Sequence, residues 1–267
     1  MTHLILIILL VLAVAYAGLS VYALLVSDSM IFYPQPSDYA DIKDVITLRT
    51  ADGVKISALY FKNDAARFAL LYSCGNAHNI GGAITDLKYL QHAGFSIFAY
   101  DYHGYGMSQG KPSEKAVYMD IDAAYAYLVD SLKVPPSRII AYGRSLGGAA
   151  AVDLAARKPL AGLIMGSSFV AAFRVMTRIP VLPFDKFRNI DKIKRVACPV
   201  LVIHGDRDRT IPFWHGKALY DAAPGPKRFL RIEGGDHNYL PQTAVDSYFK
   251  ALYDFADSLP VDDPTKQ

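Results

Sequence analysis

Residues 139–148 read Ile139-Ile140-Ala141-Tyr142-Gly143-Arg144-Ser145-Leu146-Gly147-Gly148, and this stretch decides the fold. Its first four side chains are apolar or aromatic, the pattern of a strand buried on both faces. Gly143 to Gly147 match G-x-S-x-G, and Ala149-Ala150-Ala151-Val152 then open a helical run. A serine between a strand and a helix sits on a sharp turn, and flanking glycines let the two elements approach without Cβ clashes. The free N–H groups and positive end of such a helix lie where negative charge develops on an attacked carbonyl. Ser145 is therefore the candidate nucleophile.

Outward from that turn, short apolar runs alternate with helical ones. Strands are expected at 45–49, 54–61, 68–72, 95–100, 138–142, 160–165, 200–204 and 228–232. Helices are expected at 84–92, 116–132, 146–157, 215–222 and 244–258. Such alternation implies an α/β domain with a mostly parallel eight-stranded sheet covered by helices on both faces. Ala51-Asp52-Gly53 reads as a hairpin turn between the first two strands and adds an antiparallel edge. Residues 167–196 break the rhythm with Ile179-Pro180, Leu182-Pro183 and weak periodicity. A connection this long is expected to form a short cap over the strand ends.

Residues 4–26, Leu to Val, carry no charge. As a helix they would extend roughly 35 Å at about 1.5 Å per residue, enough to cross a hydrocarbon core of ~30 Å. A signal peptide cut after Ala15 or Ala17 competes with this reading. Against it, no Lys or Arg precedes the run, and the run continues through Leu19, Val21, Leu24 and Leu25. The expected layout is a single-pass membrane anchor over 1–27, a linker over 28–44 and one domain over 45–267. The side of the membrane is not readable, because neither flank holds Lys or Arg until Lys43.

A hydrophobic content of 52% with 20% charged residues over 267 positions fits a filled core and excludes a disordered chain. The formal net charge of +3 comes without a Lys/Arg block, which sets nucleic acid aside as a partner. Cys74 and Cys198 are too few for a disulfide framework and stand outside any zinc-ligand spacing. They are expected to be buried thiols, with a single disulfide between them as the alternative.

A serine hydroxyl needs an adjacent base. His237, in Gly234-Gly235-Asp236-His237-Asn238 after the last expected strand, is the candidate among seven histidines. Where a serine occupies such a turn, the orienting acid lies between serine and histidine in the chain. The loop Gly205-Asp206-Arg207-Asp208-Arg209 offers two. Asp208 is deeper in the loop and is preferred, with Asp206 read as capping the turn. Asp236 reads as a turn residue, because adjacent side chains diverge. Backbone N–H groups of Leu146 and of Asn76, the latter in Cys74-Gly75-Asn76-Ala77 after the third strand, are the expected oxyanion donors, with Ala77 as the alternative to Asn76.

Taken together, Gly75-Asn76-Ala77, the nucleophile turn, Cys198-Pro199-Val200-Leu201 through Pro212 and the run Tyr100-Asp101-Tyr102-His103-Gly104-Tyr105-Gly106-Met107-Ser108-Gln109-Gly110 resemble the α/β-hydrolase superfamily. More narrowly, they are similar to its membrane-anchored abhydrolase-domain branch, which includes protein depalmitoylases and related bacterial and fungal enzymes. The resemblance runs from about Phe32 to the C-terminus. It implies ester or thioester hydrolysis through an acyl-enzyme, without cofactor or metal, by a Ser145, His237, Asp208 triad. Two departures stand out: Cys74 occupies a position where the family usually has His, and 4–26 replaces the depalmitoylases' N-terminal cysteine cluster. The competing expectations are a catalytically silent binding or scaffold protein on the same fold, and an acyltransferase using the same triad. A lipid-like or small-molecule acyl substrate is expected. The cap residues Phe169, Val170, Phe173, Val175, Ile179, Val181, Leu182 and Phe184 either meet it or pack the cap to the body. Arg144, Arg174 and Arg178 are expected on the solvated surface, with contact to an acidic headgroup as the alternative.

Overall fold

In the computed structural model, which describes residues 2–39 and 41–260, the domain begins with a hairpin of β1 (Ile46–Arg49) and β2 (Lys55–Phe61). The remaining strands are β3 (Ala69–Ser73), β4 (Ser96–Tyr100), β5 (Ile139–Arg144), β6 (Gly162–Gly166), β7 (Val200–Gly205) and β8 (Lys227–Ile232). All eight fall where apolar runs predict them. They form one sheet in the order β1-β2-β4-β3-β5-β6-β7-β8, antiparallel at the β1–β2 and β2–β4 pairings and parallel elsewhere. Met1, Ala40 and 261–267 lie outside the described residues.

Why these strands are near-continuously apolar is visible in how each alternates between two cores. In β5, Ile139 and Ala141 face one cluster while Ile140 and Tyr142 face the other. Helices α3 (Glu114–Ala126) and α4 (Gly147–Ala155) cover the first face with α6 (Trp214–Ala222). Helices α2 (Ile80–His92) and α7 (Val245–Ser258) cover the second. Each fully buried Leu, Ile or Val contributes about 1.5–3 kcal/mol, so two faces are held where a single-faced sheet would hold one. All nine residues of α4 are buried, and its glycines and alanines suit that depth. The expected helix over 116–132 divides, with α3 followed by a wider π turn over Tyr127–Ser131. The 167–196 connection carries only short helical turns and α5 (Asn189–Lys192).

At the N-terminus, α1 (Thr2–Ile31) is long and apolar enough to cross a membrane, and its most apolar window is not buried against the body. The helix runs past 27 to Ile31, and the stretch after it is docked rather than free. Phe32 and Tyr39 are buried, Pro36 bridges Gly106, and the Tyr39 hydroxyl donates to Asp101. Aromatic side chains in an otherwise polar stretch supply that docking. Ile31 also ends beside the C-terminal edge of the sheet, through a hydrogen bond from Asn76 Nδ2 at 2.8 Å.

Candidate active site

The turn after β5 puts Ser145 in the left-handed region at φ 54°, a conformation that costs an L-residue about 1–2 kcal/mol. Close packing on both sides enforces it. A Cβ on Gly143 would lie 2.0 Å from the Gly147 carbonyl oxygen, and one on Gly147 would lie 2.0 Å from that of Ser73. The end of β6 completes the brace: Ser145 N–H donates to Gly166 O at 2.8 Å, and Ser168 Oγ donates to Ser145 O at 3.0 Å.

Onto that serine converge two loops from the C-terminal ends of β7 and β8. Ser145 Oγ lies 3.0 Å from His237 Nε2, and His237 Nδ1 lies 2.8 Å from Asp208 Oδ2. With Nδ1–H donating to the carboxylate, Nε2 is left as acceptor for the serine proton. Asp208 Oδ1 accepts from the N–H groups of Thr210 at 3.0 Å and Ile211 at 2.7 Å. Burial alone would raise this carboxyl. The His237 and Ile211 hydrogen bonds, with the imidazoles of His237 and His204, outweigh burial and hold it below the usual carboxylate range. His204, fully buried at the end of β7, donates from Nε2 to Ile211 O at 2.8 Å and roofs Asp208 at 3.5 Å.

The two other acids in these loops have structural partners. Asp206 accepts from Gly234 N–H at 2.8 Å and pairs with Arg231, stitching the acid loop to the β8 turn. Asp236 accepts from the N–H groups of Arg209 and His237 and from the Arg209 guanidinium, which hold it at about 2. Thus Asp208 alone of the three meets the imidazole.

The expected oxyanion loop lies against the serine. A Cβ on Gly75 would sit 3.5 Å from Ser145 Cβ and 4.0 Å from its Oγ. Among the described residues, the backbone N–H groups of Asn76 and Leu146 have no acceptor. Cys74 points elsewhere: its Sγ is buried, 3.9 Å from Asn79 O, and burial pushes the thiol well up. Two tyrosines brace the loop instead. Tyr102 Oη donates to Cys74 O and Tyr105 Oη to Asn76 O, both at 2.7 Å. Tyr33 N–H donates to Tyr105 Oη at 3.0 Å and to Asn76 O at 3.3 Å, tying in the chain just after α1. Asp101, raised to about 6 by burial, accepts Ile80 N–H at 2.7 Å and fixes the start of α2.

Arg144 is a correction to the solvated role its charge suggests. Its Nη2 donates to His237 O at 2.7 Å and to Asn238 Oδ1 at 2.8 Å, so it clamps the histidine loop to the nucleophile turn. No sequence signal marks it, because its partners are a backbone carbonyl and an amide 93 and 94 residues away. A cleft of about 530 Å³ opens beside His237, walled by Tyr72, Tyr142, Arg144, Leu240, Tyr248 and Phe249 among others. Among the described residues, no group of three or more His, Cys, Asp or Glu side chains is arranged to hold a metal ion.

Comparison with known proteins finds relatives of this chain. A family model described as serine aminopeptidase, S33, matches residues 65–187. The alpha/beta hydrolase domain-containing protein 17C of Mus musculus is 41% identical over 220 residues, covering 80% of this chain and 68% of that protein. The alpha/beta hydrolase domain-containing protein 17B of Xenopus tropicalis is 40% identical over 202 residues, covering 74% and 70%. Among solved structures, a Pyrococcus furiosus esterase has a TM-score of 0.69 at 17% identity, covering 85% of this chain and 95% of that one, a likeness of fold. With its strand order, its serine turn and relatives at this identity, the chain belongs to the α/β-hydrolase superfamily and is an enzyme of the serine hydrolase type.

Proposed function

We propose that the enzyme cleaves carboxylic ester or thioester bonds of lipid-like acyl groups at a membrane. Ser145 serves as nucleophile, His237 as base and then acid, and Asp208 as the orienting carboxylate. The observation that carries the reading is the continuous chain from Asp208 through His237 to Ser145, with contacts of 2.8 and 3.0 Å. His237 Nε2 takes the serine proton as Oγ attacks the acyl carbon, and Asp208 steadies the imidazolium. The amides of Asn76 and Leu146 are the proposed donors to the tetrahedral oxyanion; loss of one such donor typically costs about 3 kcal/mol of transition-state stabilisation. His237 then returns the proton to the departing alcohol or thiol, and water releases the acid by the same steps.

In this reading residues 1–27 anchor the chain, 28–44 lead to the body, and 45–267 form the catalytic domain. The apolar α1 and the aromatic-walled cleft beside His237 support a lipid-like acyl group as substrate. A fluorophosphonate probe tests the nucleophile: the native protein is labelled and Ser145→Ala is not. Equal labelling of both would remove Ser145 from the reaction. Ester and thioester series of rising acyl length, given to the detergent-solubilised enzyme, test the substrate class. A preference for the shortest acyl groups in both series would exclude a lipid-like substrate.

A further inference from the structure

The connection from β6 to β7 has two parts of opposite character. Its base is packed: Phe169, Val170 and Phe187 are buried, and Phe187 meets Phe32 edge-on at 6.1 Å between ring centroids. Its tip is not. Met176 is 84%, Ile179 69% and Val181 48% exposed, with Arg178, Pro180 and Pro183 exposed between and after them. A cluster of large apolar side chains turned outward on a charged protein marks a surface that meets another apolar phase.

The contacts of the tip identify that phase. Tyr16 Oη, halfway along α1, donates to Val181 O at 2.9 Å, and Lys186 pairs with Asp28, the first charged residue of the chain. Tyr16 precedes Asp28 by twelve residues, about 18 Å of helix. A bilayer that takes up the uncharged run 4–26 therefore surrounds the tip as well. Hydrocarbon tolerates irregular backbone only where its polar groups are satisfied within the protein. The tip meets that demand at three carbonyls: Thr177 O accepts from Arg174 Nε at 3.1 Å, Ile179 O from Thr177 Oγ1 at 2.9 Å, and Val181 O from Tyr16. Arg178 has the reach to snorkel to headgroup phosphates.

We propose that Met176, Ile179 and Val181 form a membrane-docking surface that enters the same leaflet as α1. This surface rests on the reading of α1 as an anchor and deepens it. The connection leaves the sheet beside Ser145, through the Ser168 bond to its carbonyl, so docking holds the serine against the bilayer surface. The substrates it favours are acyl esters or thioesters whose chains already reside in the leaflet.

The test uses the full chain in phosphatidylcholine–phosphatidylserine vesicles. An environment-sensitive fluorophore is placed on Ile179→Cys, Val11→Cys or Lys62→Cys, each in a Cys198→Ser background, with doxyl-labelled lipid as quencher. Lys62 follows β2, which runs antiparallel to β4, so it lies at the end of the sheet away from Ser145 and reports water. Quenching at 11 and 179 but not at 62 is expected. Quenching at 11 without 179 overturns the docking surface and leaves the anchor standing; quenching at neither overturns both. In a second measurement, Met176→Asn, Ile179→Asn and Val181→Asn are combined. Turnover of a long-chain ester in the vesicles should fall several-fold while a short water-soluble ester is hydrolysed as before, which also shows the variant is folded. Undiminished long-chain turnover overturns the proposal.

Discussion

Among the described residues, two histidines bind a carboxylate through Nδ1, and one of the two faces a hydroxyl. His237 Nδ1 meets Asp208 at 2.8 Å and its Nε2 meets Ser145 Oγ at 3.0 Å. His103 Nδ1 meets Asp120 at 2.6 Å, but its Nε2 faces the carboxylate of Asp52 at 3.5 Å. The first imidazole has a carboxylate behind it and a proton to accept in front. The second lies between two carboxylates, its pKa raised chiefly by the Asp120 bond, and has no hydroxyl on its far nitrogen to take a proton from. His103 N–H also bonds Asp120 at 3.0 Å, which fastens the loop after β4 to α3. A histidine–aspartate pair is thus a scaffold in one place and a candidate relay in the other, and the group on the far nitrogen makes the difference.

The sharpest break between the pairs comes from replacing each acid or imidazole. Asp208→Asn should lower kcat by roughly four orders of magnitude, because the amide favours the wrong imidazole tautomer. Steady-state turnover of a short ester checks it. His103→Ala should act on stability instead, costing about 3 kcal/mol by taking the imidazole away from the buried Asp120 carboxylate, which keeps the backbone N–H bond. Urea unfolding measures that loss, and kcat per folded molecule should stay near the native value. Arg144→Met comes next: removing its two bonds to the histidine loop should lower kcat by roughly ten- to a hundredfold, the equivalent of about 1.5–3 kcal/mol, typical of a charged hydrogen bond.

The smallest expected effect is on the pH dependence of stability, where the pairs act with opposite sign. His103 binds its proton more tightly when folded. Its contribution is complete below its unfolded value of 6.5 and is lost as pH rises through the raised folded value. Asp120, raised by burial, contributes in the same sense. Asp208 is held low, so its contribution is complete above 3.8 and is lost as pH falls through the depressed value. Melting curves taken across pH should show His103→Gln flattening the alkaline arm and Asp208→Asn the acid arm. A His103→Gln protein with an unchanged alkaline arm would contradict the scaffold role.

Much of this was legible because the relevant signals are local. Both faces of β3 through β7 are buried, so their apolar runs are nearly unbroken, and a serine between Gly143 and Gly147 needs only neighbouring residues to be noticed. Ser145, Asp208 and His237 each sit just beyond a strand end, and the structure brings those three together. What stayed hidden depends on partners far along the chain. Arg144 looks like any surface arginine until the histidine loop folds over it. The docking of Tyr39 on Asp101, and the bracing of Asn76 by Tyr105 and Tyr33, join segments that no periodicity links. His103 carries no such signal, because its loop position conceals how deeply Asp120 lies beneath it.

The tie between Asn76 and the end of α1 bears on how the enzyme is prepared for study. Anyone trimming the greasy N-terminus to obtain a water-soluble enzyme would be tempted to start at the first proline, Pro34. That choice deletes the acceptor at Ile31 and the donor at Tyr33 together. A soluble version begun before Asp28 keeps both, along with the pairing to Lys186.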